Sequence, residues 1–162
     1  MGMATRKRSS KRLGEEIGKA GAYALVEQET YLNLLRTQAV LSREFELLFR
    51  AHGLSDPQYN ALAIAGSAGR EGIRSEQIGR RMVALDPDTT RLIDRLVRRG
   101  LVERKPLESD RRCVVVVATR AGRELLRRLE PKVLALHREQ LGHMRRRDLE
   151  ELGRLLALAR QR

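Results

Sequence analysis

The side chains best placed to do chemistry in this sequence are hydrogen-bond donors and acceptors, not nucleophiles or metal ligands. Between positions 89 and 98, Thr89, Thr90, Arg91, Asp94, Arg95 and Arg98 fall away from an apolar stripe of Leu92, Ile93, Leu96 and Val97. Helical spacing puts the hydroxyls, the carboxylate and the guanidinium groups on one face and a packing surface on the other. Such a face suits the edges of DNA bases in a major groove, where Arg pairs with guanine and short polar side chains read other edges. An ordinary amphipathic helix with a charged solvent face has the same pattern, and the segment that follows shifts the balance. Asp110, Arg111 and Arg112 lie in a polar turn, expected over 106–112, between a strand-like stretch at 101–105 and a β-branched run at 113–117. That is a hairpin whose charged tip can meet a flanking minor groove or the phosphate backbone.

Other chemistry finds little support. No nucleophile–base pair, paired carboxylates or phosphate-cradling glycine loop stands out, so the chain does not read as an enzyme. His52, His137 and His143 are scattered, and the last two are not three or four apart, the spacing that shares a helix face. No Cys/His/Asp cluster has metal-ligand spacing, so no metal or cofactor is expected. Cys113 is the single cysteine, which excludes an intramolecular disulfide framework and fits a reducing compartment. It opens a strand, where no helix dipole activates a thiol.

The charge points to a polyanion. Lys and Arg number 33 against 21 acids, a formal charge of +12. Trp is absent and aromatics make up 3%, which argues against a single-strand binder built on stacked aromatic platforms. No run approaches the roughly 18 apolar residues of a membrane span, and no secretory signal is visible. The expectation is a cytoplasmic protein with no membrane partner.

The elements that must position these residues follow from periodicity and capping signals. Residues 1–26 read as a flexible basic arm carrying Arg6, Lys7, Arg8, Lys11 and Arg12. A long helix over 27–53 has two apolar strips and ends at Gly53, which suggests two packing partners, one of them a second subunit. Ser55 and Gln58 have capping-box spacing around Pro57 and open a second helix. Ser75 is the expected cap of a short helix over 75–82, to which Gln77 belongs. Asp86 caps the next helix, with Pro87 its first residue, and Gly100 ends it. Thr119 caps a long helix kinked at Pro131, and a last helix carries Leu149, Leu152, Leu155 and Leu156. The fold class is therefore mostly α with a small β-wing: a winged helix-turn-helix over 54–119, flanked by dimerisation helices at 27–53 and 120–162.

The stretch DPDTTRLIDRLVRRGLVERKPLESDRRCVVVVATRAG resembles the MarR (multiple antibiotic resistance regulator) family of transcriptional regulators. The likeness rests on Thr90-Arg91-Leu92-Ile93-Asp94-Arg95-Leu96, on Arg99-Gly100-Leu101-Val102-Glu103-Arg104, on the tip Asp110-Arg111-Arg112 and on Ala118-Thr119-Arg120-Ala121-Gly122. Upstream, Leu54-Ser55-Asp56-Pro57-Gln58-Tyr59 is similar to the family's opening of its second helix. At Arg146-Arg147-Asp148 the chain departs from the family's usual Ser-Pro-Glu. The resemblance implies a homodimer that binds pseudo-palindromic double-stranded DNA, commonly as a repressor released by a small aromatic or anionic effector. It places Ser75, Gln77, Thr89, Thr90, Arg91, Asp94, Arg95, Arg98, Asp110, Arg111 and Arg112 at the DNA. Tyr31, Phe45 and Phe49 are candidates to line an effector pocket, though at their spacing they fit a core better. A weakly specific architectural DNA-binding protein is the alternative.

By the same resemblance Arg112 enters the minor groove, Asp110 orients it and Arg111 meets a phosphate. Arg112→Ala should then weaken operator binding by about 1–3 kcal/mol and relax preference at flanking A·T positions, with little change in thermal stability. Fluorescence anisotropy on operator and scrambled duplexes, with a melting curve, checks this. Parent-like binding to both duplexes would remove the wing from the set of readers.

Overall fold

The computed structural model describes residues 13–84, 88–107 and 110–161, without the side chains of 110–112. Arg6, Lys7, Arg8, Lys11 and Arg12 of the expected arm, together with Leu85, Asp86, Pro87 and the tip side chains Asp110, Arg111 and Arg112, lie outside the described residues; residues 13–26, expected as part of a flexible arm, instead open with a short helix that buries Leu13. The elements in order are α1 (Leu13–Glu16), α2 (Val26–Arg50), α3 (Asp56–Ser67), α4 (Ser75–Arg81), α5 (Thr89–Arg98), β1 (Val102–Leu107), β2 (Asp110–Ala118), α6 (Arg120–Leu141) and α7 (Arg146–Ala159). This is a mostly helical chain with one small antiparallel sheet. Among the described residues no helix is long and apolar enough to cross a membrane.

The chain divides into two compact units, residues 1–43 and 44–162. In the first, the Lys19 ammonium donates to the carbonyls of Ala20, Gly21 and Ala22 and sits 4.9 Å from the Tyr23 ring centroid. The cation is thus satisfied by backbone dipoles and an aromatic face at once. The part of α2 in this unit leaves Val26, Tyr31, Leu35 and Val40 exposed to solvent.

The second unit holds the core. Leu62, Ile78, Ile93, Leu96, Val102, Val116 and Leu129 are its largest fully buried side chains, drawn from α3, α4, α5, both strands and α6. The helix starts are built as local chemistry dictates. Ser55 Oγ accepts from the Gln58 N–H while Gln58 Oε1 accepts from the Ser55 N–H, so two orphan amides are satisfied reciprocally. Tyr59, one residue on, stacks on Phe49 with ring centroids 4.2 Å apart. Gly53, at φ +69°, makes the left-handed turn between α2 and α3 that a side chain would resist. Helix α6 runs continuously through Pro131.

Three expectations need correction. Residue 75 is the first residue of α4 rather than its cap: Arg74 holds the cap position, and Gln77 Oε1 accepts from the Arg74 N–H at 3.2 Å. Helix α5 starts at Thr89, with Asp88 as its cap, not Asp86: Asp88 Oδ1 accepts from the Arg91 N–H at 3.2 Å. Two aspartates flank Pro87, and local signals cannot choose between them. In the folded chain the later one caps α5, where the helix crosses α4 closely: a Cβ on Gly79 would come 3.0 Å from Thr89 Oγ1. Lastly, the hairpin is longer than its sequence suggests. Pairing continues to Leu107↔Asp110, with an irregular register after Pro106, so Pro106 and Asp110 to Arg112 are strand residues rather than a turn.

The hairpin base is clamped to α6. Thr119 Oγ1 accepts from the Gly122 N–H at 3.1 Å and donates to the Gly100 carbonyl at 2.6 Å. Gly122 passes so close to the entry of β1 that a Cβ there would lie 2.1 Å from the Leu101 carbonyl oxygen. Backbone cannot yield as a flexible side-chain end would. Gly122→Ala should therefore cost about 1–3 kcal/mol of stability through overpacking, a drop of several degrees in melting temperature. An unchanged thermal transition would show that this approach is not a constraint.

Candidate nucleic-acid interface

Helix α5 is held by Leu92, Ile93 and Leu96, which are 6%, 0% and 1% exposed. With that stripe facing inward, Thr90, Arg91, Asp94, Arg95 and Arg98 fall within an arc of about 140° at 3.6 residues per turn. Four of the five are exposed, and Asp94 is half-buried. Thr89 sits apart from them: half-buried, it lies at the crossing with Gly79 of α4. The arc is therefore a helix face of hydroxyl and guanidinium groups, the donor set that base edges and phosphates accept from.

The charges on this face are partly tethered. Arg91 Nε lies 3.2 Å from Asp88 Oδ2, within the first turn of the same helix. Arg104 of β1 donates to Asp94 Oδ1 at 2.6 Å. On α4, Arg80 pairs with Glu76. Among the described residues, Arg95 and Arg98 have no acidic partner, so they face solvent with their full charge. Ion pairs this exposed contribute about 0.2–1 kcal/mol each, little enough to be exchanged for phosphate contacts.

The turn-side elements are pinned by polar contacts that the sequence did not announce. Asn60 Oδ1, from α3, accepts from the Val83 N–H at 2.9 Å and so fixes the exit of α4. Arg99, just past α5, donates from Nη2 to the His52 carbonyl at 3.1 Å and from Nη1 to the Gly53 carbonyl. These contacts tie the end of α5 to the turn after α2. Arg74 Nη2 lies 3.4 Å from Cys113 Sγ, bridging the start of α4 to β2. Ile73 forms an antiparallel bridge with Val116, extending the wing sheet by one pair. Asn60 was the one legible signal, a polar residue set between Tyr59 and Ala61 on a packed helix.

Among the other candidate residues, Ser75 and Gln77 open α4, where Gln77 spends its oxygen on the cap. The β2 backbone carries Asp110, Arg111 and Arg112 at the far end of the hairpin. Phe49 is buried in the core, with Phe45 6.2 Å away and in turn 4.8 Å from the His137 ring; Tyr31 is exposed on α2 in the other unit.

A cleft of about 450 Å³ opens between α3 and α6, lined by Tyr59, Ala63, Gly66, Ser67, Arg123, Leu126, Arg127 and Glu130. Burial, reinforced by Glu130, raises the Tyr59 pKa, so its hydroxyl stays protonated and able to donate. The cleft joins this aromatic wall and an apolar floor to two guanidinium groups and one carboxylate: Arg123 donates to the Ala118 carbonyl, Arg127 lies 4.0 Å from Glu124, and Glu130 stands beside them. Nothing in the spacing of Tyr59, Arg123 and Arg127 marks them as neighbours, because α3 and α6 meet only in the folded chain.

A family model described as the MarR family matches residues 54–114. The chain is 27% identical to the transcriptional repressor MprA of Escherichia coli K12 over 139 residues, 80% of this chain and 79% of that protein. Among solved structures, it is 43% identical to a MarR transcription factor from Planctomyces limnophilus, over 85% of this chain and 99% of that one, with a TM-score of 0.62. The fold also matches Bordetella bronchiseptica BpsR, whose DNA binding is regulated by 6-hydroxynicotinic acid, at 21% identity and a TM-score of 0.72, over 88% of this chain and all of that one.

The two kinds of arginine on α5 should behave differently. Arg95→Ala removes an untethered cation from the outward arc and should cost about 1–3 kcal/mol of operator affinity and relax preference at a major-groove position. Arg91→Ala should cost less, since Arg91 must first leave Asp88. Competition titrations against single-base operator variants measure both. Equal, sequence-independent losses would mean that neither arginine reads bases.

Proposed function

Because this chain belongs to the MarR family of transcriptional regulators, we propose that it is a sequence-specific repressor that binds double-stranded DNA as a homodimer and lets go when a small aromatic or anionic effector binds. The observation that carries this is the outward arc of Thr90, Arg91, Arg95 and Arg98 on a helix whose opposite face is buried, followed at once by a hairpin. Each α5 enters a major groove, and each wing follows the flanking backbone or minor groove through Arg111 and Arg112. Ser75 and Gln77 at the start of α4, with Thr89, Asp94 and Asp110, border the same contact. A net charge of +12 supplies the long-range attraction.

The dimer reading rests on apolar side chains without cover. Helix α7 has no buried residue, and Leu152, Leu155 and Leu158 are exposed by 38%, 46% and 54%. A second copy that packs its own terminal helices there removes this surface from water and sets two α5 helices on one operator. Repression is supported by the likeness to MprA, and control of DNA binding by a ligand by the fold shared with BpsR. The α3–α6 cleft, with Arg123 and Arg127, suits such an effector better than Tyr31, Phe45 and Phe49 do, because Phe49 is committed to the core. A regulator of this kind works in the cytoplasm, where the DNA is.

Selection of bound duplexes from a random library tests the reading. It should return an inverted repeat with half-sites about one helical turn apart. Affinity for that operator should exceed affinity for a scrambled duplex at least a thousandfold, and about six neutralised phosphates would lower it roughly a thousandfold between 50 and 200 mM salt. A specificity ratio near unity would overturn the proposal in favour of a weakly specific, DNA-coating protein. An operator without two-fold symmetry would overturn the dimer.

A further inference from the structure

Asp94 is an odd residue to find on a face that meets phosphates. Left alone, its carboxylate would repel the duplex. It is instead half-buried and engaged, with Oδ1 accepting from Arg104 Nη1 at 2.6 Å. Arg104 comes from β1, two residues beyond Val102, and residues two apart on a strand share a face. The face of β1 that is buried at Val102, 1% exposed, therefore continues along α5 as far as Arg104. On the other face, Lys105 pairs with Glu103 within the strand.

The base of the hairpin is fixed by the burial of Val102 and Val116 and by the Ile73–Val116 bridge. Outward from there, residues 104–106 of β1 are exposed, while Val115 and Val117 of β2 stay buried, near Gly72, and only beyond them does the hairpin leave the core. A two-stranded hairpin has little rigidity of its own once it leaves a core. The Asp94–Arg104 pair is where α5 holds the departing strand.

We propose that Asp94 is a positioning residue rather than a base reader: with Arg104 it forms a strut that sets the angle of the wing to α5, so that helix and wing meet one duplex in register. This rests on the DNA-binding reading above. An exposed pair contributes little to folding, so the strut acts on geometry and not on stability.

The sign of one substitution is informative. Removing a negative charge beside DNA should by electrostatics alone tighten binding to any duplex. The strut predicts that Asp94→Asn instead lowers the ratio of operator to scrambled-duplex affinity, by about two- to fivefold, the range an exposed ion pair supports. Arg104→Gln should lower the ratio similarly, and the double variant should be no worse than either single one, since all three lack the same contact. In the DNA-free protein, hydrogen exchange of the hairpin amides over 103–117 should quicken by a similar factor in all three variants.

Three results would overturn the proposal. Asp94→Asn could change the preferred base at one operator position while Arg104→Gln does not, which makes Asp94 a reader. Arg104→Gln could weaken both duplexes alike while Asp94→Asn leaves the ratio unchanged, which makes Arg104 a phosphate contact only. Hairpin exchange could be unaltered in every variant. If the parent protein fails to discriminate between duplexes, the DNA reading fails, and the exchange rates of the free protein still decide whether the strut exists.

Discussion

The burial of Leu92, Ile93 and Leu96 fixes the rotation of α5 about its own axis, and what the molecule presents to a partner follows from that rotation. Each of these side chains gains about 1.5–3 kcal/mol on leaving water, while each exposed ion pair on the opposite face is worth about 0.2–1 kcal/mol. The apolar stripe therefore outweighs the charges in setting the helix. Thr90, Arg91, Arg95 and Arg98 point outward because the stripe points inward. Leu92, Ile93 and Leu96 share one cluster with Leu62 of α3, Ile78 of α4 and Val102 of β1, so a change of volume at any of these sites is felt at the outward face.

Around that packed centre the connections are held by directional bonds, each at a place where the chain leaves a regular element. Asn60 takes the Val83 amide after α4, Arg99 takes the carbonyls of His52 and Gly53 after α2, and Thr119 joins the end of β2 to the turn before β1. Amides and carbonyls at element ends have no partner within their own element, and losing one to an apolar environment costs more than a hydrogen bond returns. The motif residues Thr119 and Gly122 thus act as joints: one supplies a cap and a cross-bond, the other the absence of a Cβ where α6 meets the Leu101 carbonyl. The wing inherits its placement from these joints and from the bridge at Ile73 and Val116.

Electrostatics then grades the outward surface. Asp88, Asp94 and Glu76 each hold one arginine, which lowers the effective charge of α4 and α5 and leaves Arg95 and Arg98 as the strongest cations of the arc. A face built from cations alone would bind any polyanion with similar strength. Interleaved carboxylates raise the cost of a wrong register, since a misplaced phosphate meets a negative group. The α3–α6 cleft, by contrast, gathers Arg123, Arg127 and Glu130 around Tyr59, whose hydroxyl burial keeps protonated.

The sequence by itself determined what depends on neighbours a few residues apart. The stripe of α5 follows from the spacing of Leu92, Ile93 and Leu96, the start of α3 from Ser55 and Gln58, the start of α6 from Thr119, and the wing from the β-branched run before Ala118. Each of these is an i, i+2, i+3 or i+4 relation that local geometry enforces wherever the segment lies. Where local signals allowed two solutions, the folded chain settled which was used. Asp88 rather than Asp86 caps α5, Arg74 rather than Ser75 precedes α4, and pairing runs on to Leu107 and Asp110 past a proline that looked like a turn. Only the tertiary structure decided that Asp94 belongs to Arg104, Asn60 to Val83, Arg99 to Gly53, and Tyr59 to the cleft with Arg123 and Arg127. These partners are separated by 10 to 46 residues along the chain where hydrogen-bonded, and at such separations any of many polar side chains would serve equally well in the sequence. The burial of the apolar stripes settles which of them meet, because it fixes where each element lies before the polar groups find their partners.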